Sequence, residues 1–261
     1  MTRPCRLLSG LSLAVLLATG GCGSDRETSA PPGPVVATGA VTVFAAASLT
    51  EAFNDEQTAL KASHPGLSVT YSFAGSGALV AQVEQGAPAD VVATADTASM
   101  KKLTDAGLVE APTIFARNQL EILVAPGNPL GIGTLADLAR PDVKLVLEDE
   151  SVPAGKYAAQ ALATAGVTVA PLSKEADVKA AVAKVTLGEA DATIVYATDV
   201  TAAGAKGQGV VIPDAQNVVA EYPVAVVKGT GNRAGAVAFV DAIVKGTGQD
   251  ALRRRGFLPA V

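Results

Sequence analysis

The sequence predicts an α/β fold, and three observations support that prediction. Short apolar runs recur along the chain and alternate with stretches of helical periodicity. Hydrophobic residues make up 49% of the chain and charged residues only 17%, which is typical of a packed globular protein and not of a disordered one. At roughly 150 residues per domain, 261 residues correspond to one large domain or two modest ones.

The first residues are predicted to be a secretory leader. Arg3 and Arg6 precede an apolar run over 7–18, which is too short for a helix that spans a membrane. Small residues then lead into Cys22, and a cysteine in that place resembles the lipobox of bacterial lipoproteins. We therefore expect 1–21 to be a lipoprotein-type signal peptide and Cys22 to be the lipidated first residue of the mature chain.

The stretch after the leader is predicted to be a tether. Residues 22–40 begin at the lipidated Cys22 and continue with Pro, Gly, Ser and Thr, with almost no side chains to bury. The folded part is expected to begin near Val41. A folded domain on a tether outside a membrane limits the function to binding, sensing or surface enzymology.

The folded part alternates predicted strands and helices. Leu49, Phe53 and Leu60 share one face of a helix. Apolar residues between Val178 and Val185 follow helical spacing until Gly188 ends the helix. The apolar runs predicted to be strands are 41–47, 67–73, 91–95, 120–125, 145–147, 193–196 and 223–227.

The rarest residues exclude several kinds of chemistry. His64 is the one histidine, and Cys5 and Cys22 are the two cysteines, so zinc and thiol chemistry lack the clusters of ligands they need. A Ser-His-Asp triad would have to use His64, which lies at a predicted helix end and is better explained as a solvated residue there. The net charge is −5 and basic residues are scattered, so no nucleic-acid partner is expected.

Several predicted junctions between a strand and a helix carry small or hydroxyl residues. Ser48 follows the first strand, Ser76 lies between two glycines after the second, Pro153 suits a first helical turn, and Asp177 precedes another helix. Each helix start offers free N–H groups, so together they could form an anion site without Lys or Arg. The alternative is that Ser48, Ser76 and Asp177 only cap helices. Tyr196, at a strand end, could add a phenolic donor or could serve packing alone.

Five short motifs, taken together, resemble the molybdate-binding proteins of bacterial ABC importers. The resemblance runs from about Val41 to Pro259, with the motifs in the expected order and spacing. The motifs are Val43-Phe44-Ala45-Ala46-Ala47-Ser48-Leu49-Thr50, Gln85-Gly86-Ala87-Pro88-Ala89-Asp90-Val91, Val152-Pro153-Ala154-Gly155-Lys156-Tyr157-Ala158, Ile194-Val195-Tyr196-Ala197-Thr198-Asp199 and Glu221-Tyr222-Pro223-Val224-Ala225-Val226-Val227.

The resemblance implies a type II periplasmic-binding-protein fold with two α/β lobes that close over one tetrahedral oxyanion. Lobe 1 is then expected over 41–119 and 224–261, and lobe 2 over 120–223. The ligand contacts implied are two serine hydroxyls, backbone amides on two helices and a tyrosine hydroxyl. They fall on Ser48, Ser76, Ala154, Val178 and Tyr196.

The resemblance also implies partners and a location. We expect molybdate, and tungstate of almost the same size, to be bound only as the oxyanion, with no direct bond from protein to metal and no cofactor. The expected partners are a membrane permease and its cytoplasmic ATPase. The protein is expected to be a monomer that the lipid anchor holds to the extracytoplasmic face of the cell membrane.

Two rival interpretations stay open at this point. Another ligand is possible: sulfate, phosphate, or ferric iron held by Tyr196 and Tyr222 as phenolates, although packing is favoured for Tyr222. A serine hydrolase that uses Ser76 is much less favoured, because Gly75-Ser76-Gly77 lacks the nucleophile-elbow pattern and bases are scarce. An enzyme is therefore not expected.

Overall fold

A computed structural model of the chain describes residues 37–260. The predicted signal peptide, the lipidation site at Cys22 and the tether up to residue 36 lie outside the described residues. Ala37 is buried, and the first strand begins at Gly39, two residues before the predicted start of the folded part.

The chain alternates nine strands and eight α-helices over the described residues. The strands are β1 (Gly39–Ala46), β2 (Leu67–Ala74), β3 (Val91–Ala93), β4 (Thr113–Val124), β5 (Val146–Glu148), β6 (Ser173–Glu175), β7 (Ala192–Tyr196), β8 (Gln208–Val211) and β9 (Val219–Val226). The helices are α1 (Thr50–Ser63), α2 (Ser76–Glu84), α3 (Thr97–Asp105), α4 (Pro153–Thr164), α5 (Val178–Thr186), α6 (Ala197–Ala203), α7 (Arg233–Lys245) and α8 (Gly248–Arg254).

The first part of the chain forms parallel strands that are joined by helices. β1 lies between β2 and β3 and pairs in parallel with both. The helix after β1 and the helix after β2 therefore both start at the carboxyl edge of the sheet, where α/β proteins bind ligands. β9 returns late in the chain and pairs antiparallel with β3 on one side and with β4 on the other.

β4 belongs to two groups of strands. Its first part, from Thr113 to Gln119, pairs with β9, and its second part, from Leu120 to Val124, pairs with β7. β8 also pairs with the second part. β5 pairs in parallel with β6, and one bridge between Leu145 and Ala192 joins β5 to β7. One strand thus connects the group around β1 to the group around β7.

The structure confirms the alternating α/β pattern and extends it. The start of β4 was not predicted, because residues 113–119 include Arg117, Asn118 and Gln119 and do not alternate in polarity. β6 and β8 were also not predicted, since one has three mostly polar residues and the other has four residues with a glycine among them. Within residues 37–260, no helix is both long enough and apolar enough to cross a membrane.

Candidate functional site

A small cavity lies where several helices begin. Its volume is about 20 Å³, which is room for one small ion or a water molecule and far below the pockets that hold drug-sized ligands. All five residues that the family resemblance implies as ligand contacts line it. The lining residues are Ala46, Ala47, Ser48, Ala74, Gly75, Ser76, Ala95, Val152, Pro153, Ala154, Asp177, Val178 and Tyr196.

Ser48 reaches the cavity from the turn that follows β1. It lies in a short 3-10 helix, Ala47–Leu49, that leads directly into α1, and it is buried. The Ser48 hydroxyl lies 2.9 Å from the hydroxyl of Tyr222, whose side chain is fully buried. The Ser48 hydroxyl is therefore hydrogen-bonded to a side chain that is distant in sequence and does not line the cavity.

Ser76 is the first residue of α2, directly after β2. Its hydroxyl oxygen accepts a hydrogen bond of 3.0 Å from the backbone N–H of Ala95, and the side chain is buried. Ala95 also lines the cavity. Ser76 is thus fixed by a backbone donor on the loop after β3.

The interpretation of both serines as helix caps is wrong. The residue that precedes α1 is Leu49 and the residue that precedes α2 is Gly75, and neither helix has a side-chain cap. Asp177 does cap a helix, because its carboxylate accepts the N–H groups of Lys179 and Ala180 at 2.9 and 3.0 Å. The serine hydroxyls are therefore not used by the helices that they begin or precede.

The starts of α4 and α5 bring backbone donors to the cavity. Pro153 opens α4 and has no N–H, so the first N–H of this helix belongs to Ala154. In α5 the Asp177 carboxylate takes the N–H groups of the second and third residues, so that of Val178 remains. The positive ends of both helix dipoles lie at the cavity, which favours an anion there.

Tyr196 adds a hydroxyl from the end of β7. The side chain is 1% exposed, and its hydroxyl has no hydrogen-bond partner among the described residues. Burial raises the pKa of this phenol well above its ordinary value, so the group stays protonated and can donate. A buried hydroxyl without a partner is costly, and a bound acceptor in the cavity would remove that cost.

The glycines beside Ser76 allow a close approach of chain segments. A Cβ on Gly75 would lie 2.7 Å from the carbonyl oxygen of Ala176 and 2.9 Å from a methyl group of Val152. A Cβ on Gly77 would lie 3.1 Å from the carbonyl oxygen of Ser151. The segment before α2 thus packs directly against the segments before α4 and α5, and the glycines leave room for the backbone of those segments.

Lys179 follows Val178 in the chain, and its ammonium group is paired with two carboxylates. Its ammonium contacts Glu51 of α1 at 2.7 Å and Asp199 of α6 at 2.9 Å. Burial works to lower the pKa of Lys179, but the two carboxylates outweigh it and the pKa is raised. The lysine is therefore charged and paired, and the residues that line the cavity include no Lys, Arg or His.

Glu148 ends β5 behind the start of α4 and is 1% exposed. Neither of its carboxyl oxygens has a hydrogen-bond partner among the described residues. Burial raises the pKa of Glu148 to about 8, with a smaller contribution from the nearby Asp199. At neutral pH this carboxyl is mostly neutral, so it does not oppose an anion at the helix starts.

Comparison with known proteins identifies the family. The profile of the bacterial extracellular solute-binding proteins matches residues 41–258. The molybdate-binding protein ModA of Mycobacterium tuberculosis is 40% identical over 252 residues, which cover 96% of this chain and 95% of that protein. The chain belongs to the family of bacterial extracellular solute-binding proteins. The resemblance to the molybdate-binding proteins among them is thereby confirmed.

Solved structures of other solute-binding proteins share the fold. The periplasmic molybdate-binding protein of Azotobacter vinelandii has a TM-score of 0.74 at 20% identity, covering 84% of this chain and 98% of that one. The sulfate-binding protein SubI of M. tuberculosis has a TM-score of 0.75 at 22% identity, covering 84% of this chain and 86% of that one. At these identities the likeness concerns the fold alone, and it confirms the type II periplasmic-binding-protein fold.

Two residues of this solute-binding protein were missed as parts of the site. Tyr222 was assigned to packing, and it does pack edge-on against Tyr196 and Phe257, but its hydroxyl also holds Ser48. Asn118, on the unpredicted part of β4, lies 3.5 Å from the same hydroxyl. The signal for both was weak, since neither lies near Ser48 in the sequence.

The remaining candidates for chemistry lie elsewhere or are incomplete. His64 follows the end of α1, contacts Ser63 and is not among the residues that line the cavity. Over the described part of the chain, no three His, Cys, Asp or Glu side chains are placed to hold a metal ion. Burial raises the pKa values of both Tyr196 and Tyr222, which disfavours the phenolates that ferric iron would need.

Tyr196→Phe is expected to weaken oxyanion binding about tenfold and to leave the free energy of unfolding of the ligand-free protein unchanged or slightly raised. The hydroxyl has no protein partner, so its loss leaves nothing unsatisfied, whereas a bound anion would lose one hydrogen bond. Calorimetric titration with molybdate and urea unfolding measure the two quantities. Tyr71→Phe is the matched control, because the hydroxyl of Tyr71 is also buried without a partner but lies outside the cavity lining. Unchanged binding by Tyr196→Phe would contradict a role for this hydroxyl.

Proposed function

We propose that the protein captures molybdate outside the cytoplasm and delivers it to the permease of an ABC importer, whose ATPase drives uptake. The observation that carries this proposal is the set of neutral donors at one small cavity: the hydroxyls of Ser48, Ser76 and Tyr196 and the backbone N–H groups of Ala154 and Val178. The identity of the ligand is inferred from the ModA relatives, which are molybdate-binding proteins. No enzymatic step is part of the proposal, and no cofactor is needed.

The donor set suits a fully deprotonated oxyanion. Molybdate at neutral pH is a dianion that only accepts hydrogen bonds, so hydroxyl and N–H donors satisfy it. Phosphate carries a proton in this pH range and would need an acceptor. The carboxylate of Asp177 is the one carboxylate among the residues lining the cavity, and it is already used by two N–H groups of α5.

Molybdate and tungstate differ from sulfate in size. Metal–oxygen bonds in molybdate and tungstate are longer than the bonds in sulfate, so these two anions need a wider cage. Donors at helix starts are held by the rigid helices and cannot close on a smaller anion without strain. The proposal therefore includes tungstate as a second ligand and disfavours sulfate.

The proposed lobes follow the strand pairing. Lobe 1 comprises 41–119 and 224–261, and lobe 2 comprises 120–223. In support of this division, β4 exchanges β9 for β7 as its partner between Gln119 and Leu120. Ser48 and Ser76 then belong to lobe 1, and the other three donors belong to lobe 2, so the ligand would bind between the lobes and favour their closed arrangement.

The proposal includes how the protein is held in place. A signal peptide over 1–21 and a lipid on Cys22 would anchor the folded part to the extracytoplasmic face of the membrane through the tether, and the protein would act there as a monomer. These features come from the sequence pattern and from the family, whose members are described as extracellular.

Calorimetry with four oxyanions tests the proposed function. We expect binding heat from molybdate and from tungstate, and none from sulfate or phosphate at matched ionic strength and pH. Because no Lys, Arg or His lines the cavity, no cation is screened there, and the affinity for molybdate should change little when the salt concentration rises. Binding of sulfate as tight as that of molybdate, or no binding of molybdate at all, would contradict the proposal.

A further inference from the structure

A chain of buried hydrogen bonds begins at Ser48 and leads away from the cavity. The hydroxyl of Ser48 lies 2.9 Å from that of Tyr222. The side-chain amide nitrogen of Asn118 lies 3.5 Å from the Tyr222 hydroxyl and 2.8 Å from the hydroxyl of Thr198. Asn118 and Tyr222 are each 0% exposed. Distances alone do not say which hydroxyl donates to which, because either group could.

The backbone fixes the direction of this chain. The N–H of Gln119 donates to the side-chain oxygen of Asn118 at 3.0 Å, so the amide nitrogen of Asn118 must face Tyr222 and Thr198. An amide NH₂ group only donates, and the Tyr222 oxygen therefore accepts from it. The single hydrogen of the Tyr222 hydroxyl is then directed to the oxygen of Ser48, because that oxygen, at 2.9 Å, is the one acceptor within hydrogen-bond distance among the described residues. The neighbouring hydroxyl of Tyr196 makes no hydrogen bond to it.

This direction of the hydrogen bonds determines where the hydrogen of the Ser48 hydroxyl can point. Once its oxygen accepts from Tyr222, its own hydrogen is free to point into the cavity that Ser48 lines. Ser76 is in the same situation, because its oxygen accepts from the N–H of Ala95, which can only donate. The oxygens of both serines thus accept a hydrogen bond, each from a different group. The hydrogens of both hydroxyls can therefore be donated into the cavity.

We propose that Tyr222 and Asn118 are positioning residues that set the direction of the Ser48 hydroxyl and so make it a donor to the bound anion. This inference rests on the proposed function. It adds a physical cause for the preference for deprotonated anions, because a Ser48 hydrogen that points into the cavity is complementary to an acceptor oxygen and not to a proton on the ligand. Neither Tyr222 nor Asn118 lines the cavity, so both act through Ser48.

A double-mutant cycle tests the inference. Molybdate affinity is measured by calorimetry for the unchanged protein and for Tyr222→Phe, Ser48→Ala and the double variant. Tyr222→Phe should weaken binding about tenfold, since Ser48 is no longer held as a donor. In the Ser48→Ala background the same change should alter affinity less than about twofold, because the group through which Tyr222 acts is gone.

The controls separate a positioning role from a structural one. Tyr71→Phe removes a buried hydroxyl away from the cavity lining and should leave affinity unchanged in both backgrounds. Asn118→Ala removes the donor to Tyr222 without adding a charge and should weaken binding about threefold, again only when Ser48 is present. It provides a second route to the answer if Tyr222→Phe does not fold, which thermal unfolding reports.

The outcomes are distinct. Losses that are equal in the two backgrounds would overturn the inference, because they would show that Tyr222 and Asn118 act on the fold and not through Ser48. In that case molybdate still binds the unchanged protein and the proposed function stands. No binding of molybdate by the unchanged protein would overturn the proposed function, and the inference with it.

Discussion

Gly155→Ala is expected to weaken molybdate binding by roughly 10- to 150-fold, because a hydrogen bond to a charged group, which contributes about 1.5–3 kcal/mol, would be lost. Gly155 is the third residue of α4, directly after Ala154. A Cβ at this position would overlap the carbonyl group of Asp149 and would lie 2.6 Å from the carbonyl oxygen of Glu148. These are backbone atoms that cannot turn aside, so the start of α4 must move and carry the N–H of Ala154 away from the cavity.

The same change is expected to lower the free energy of unfolding by about 1–3 kcal/mol, the usual cost of overpacking. Calorimetry and urea unfolding measure the two effects. Gly231→Ala is the matched control, because a Cβ on Gly231 meets no atom within 4 Å, and both quantities should stay unchanged there. Binding by Gly155→Ala as tight as that of the unchanged protein would mean that the start of α4 does not contact the ligand.

Replacing Ser48 and Ser76 together by alanine should have the other large effect. A hydrogen bond to a charged group contributes about 1.5–3 kcal/mol, so each single change should weaken binding by roughly 10- to 150-fold. The double variant should lose at least about 100-fold in affinity. Calorimetric competition or direct titration at high protein concentration can follow losses of this size.

Stability should respond less than binding. Neither serine caps a helix, so the expected cost comes from the partners that are left behind: the N–H of Ala95 for Ser76 and the hydroxyl of Tyr222 for Ser48. About 1 kcal/mol for each change is the usual value for such a loss. Ser63→Ala, at the exposed end of α1, serves as the control for a serine outside the cavity. Unchanged affinity in the double variant would refute the assignment of both hydroxyls.

The sequence predicted those residues of the site that lie in recognisable local motifs. Ser48, Ser76, Ala154, Val178 and Tyr196 each lie where a strand ends or a helix begins, and the pattern around each one resembles a known motif. The structure brings all five to one cavity. What the pattern could not do was exclude capping as the alternative use of the serine hydroxyls, because the partners of Ser48 and Ser76 come from other parts of the chain.

The residues behind the site could not be predicted, because their roles arise from contacts between distant segments. Tyr222 and Ser48 are 174 positions apart, and Asn118 and Tyr222 are 104 positions apart. Asn118 also lies in a polar stretch of β4 that does not look like a strand. Glu148 is a similar case, since a glutamate at the end of a short apolar run gives no sign that its carboxyl is fully buried.

The absence of a Lys, Arg or His from the lining of the cavity also affects the rates at which the anion associates and dissociates. The chain carries a net charge of −5, which repels an incoming dianion, and Lys179, next to the cavity, is neutralised by Glu51 and Asp199. No formal positive charge therefore steers the anion to the cavity, and the 10- to 1000-fold acceleration of association that such charges give is not expected. Tight binding of molybdate would then require a long residence time of the anion. In that case, release to a permease would require the donors of the cavity to move apart.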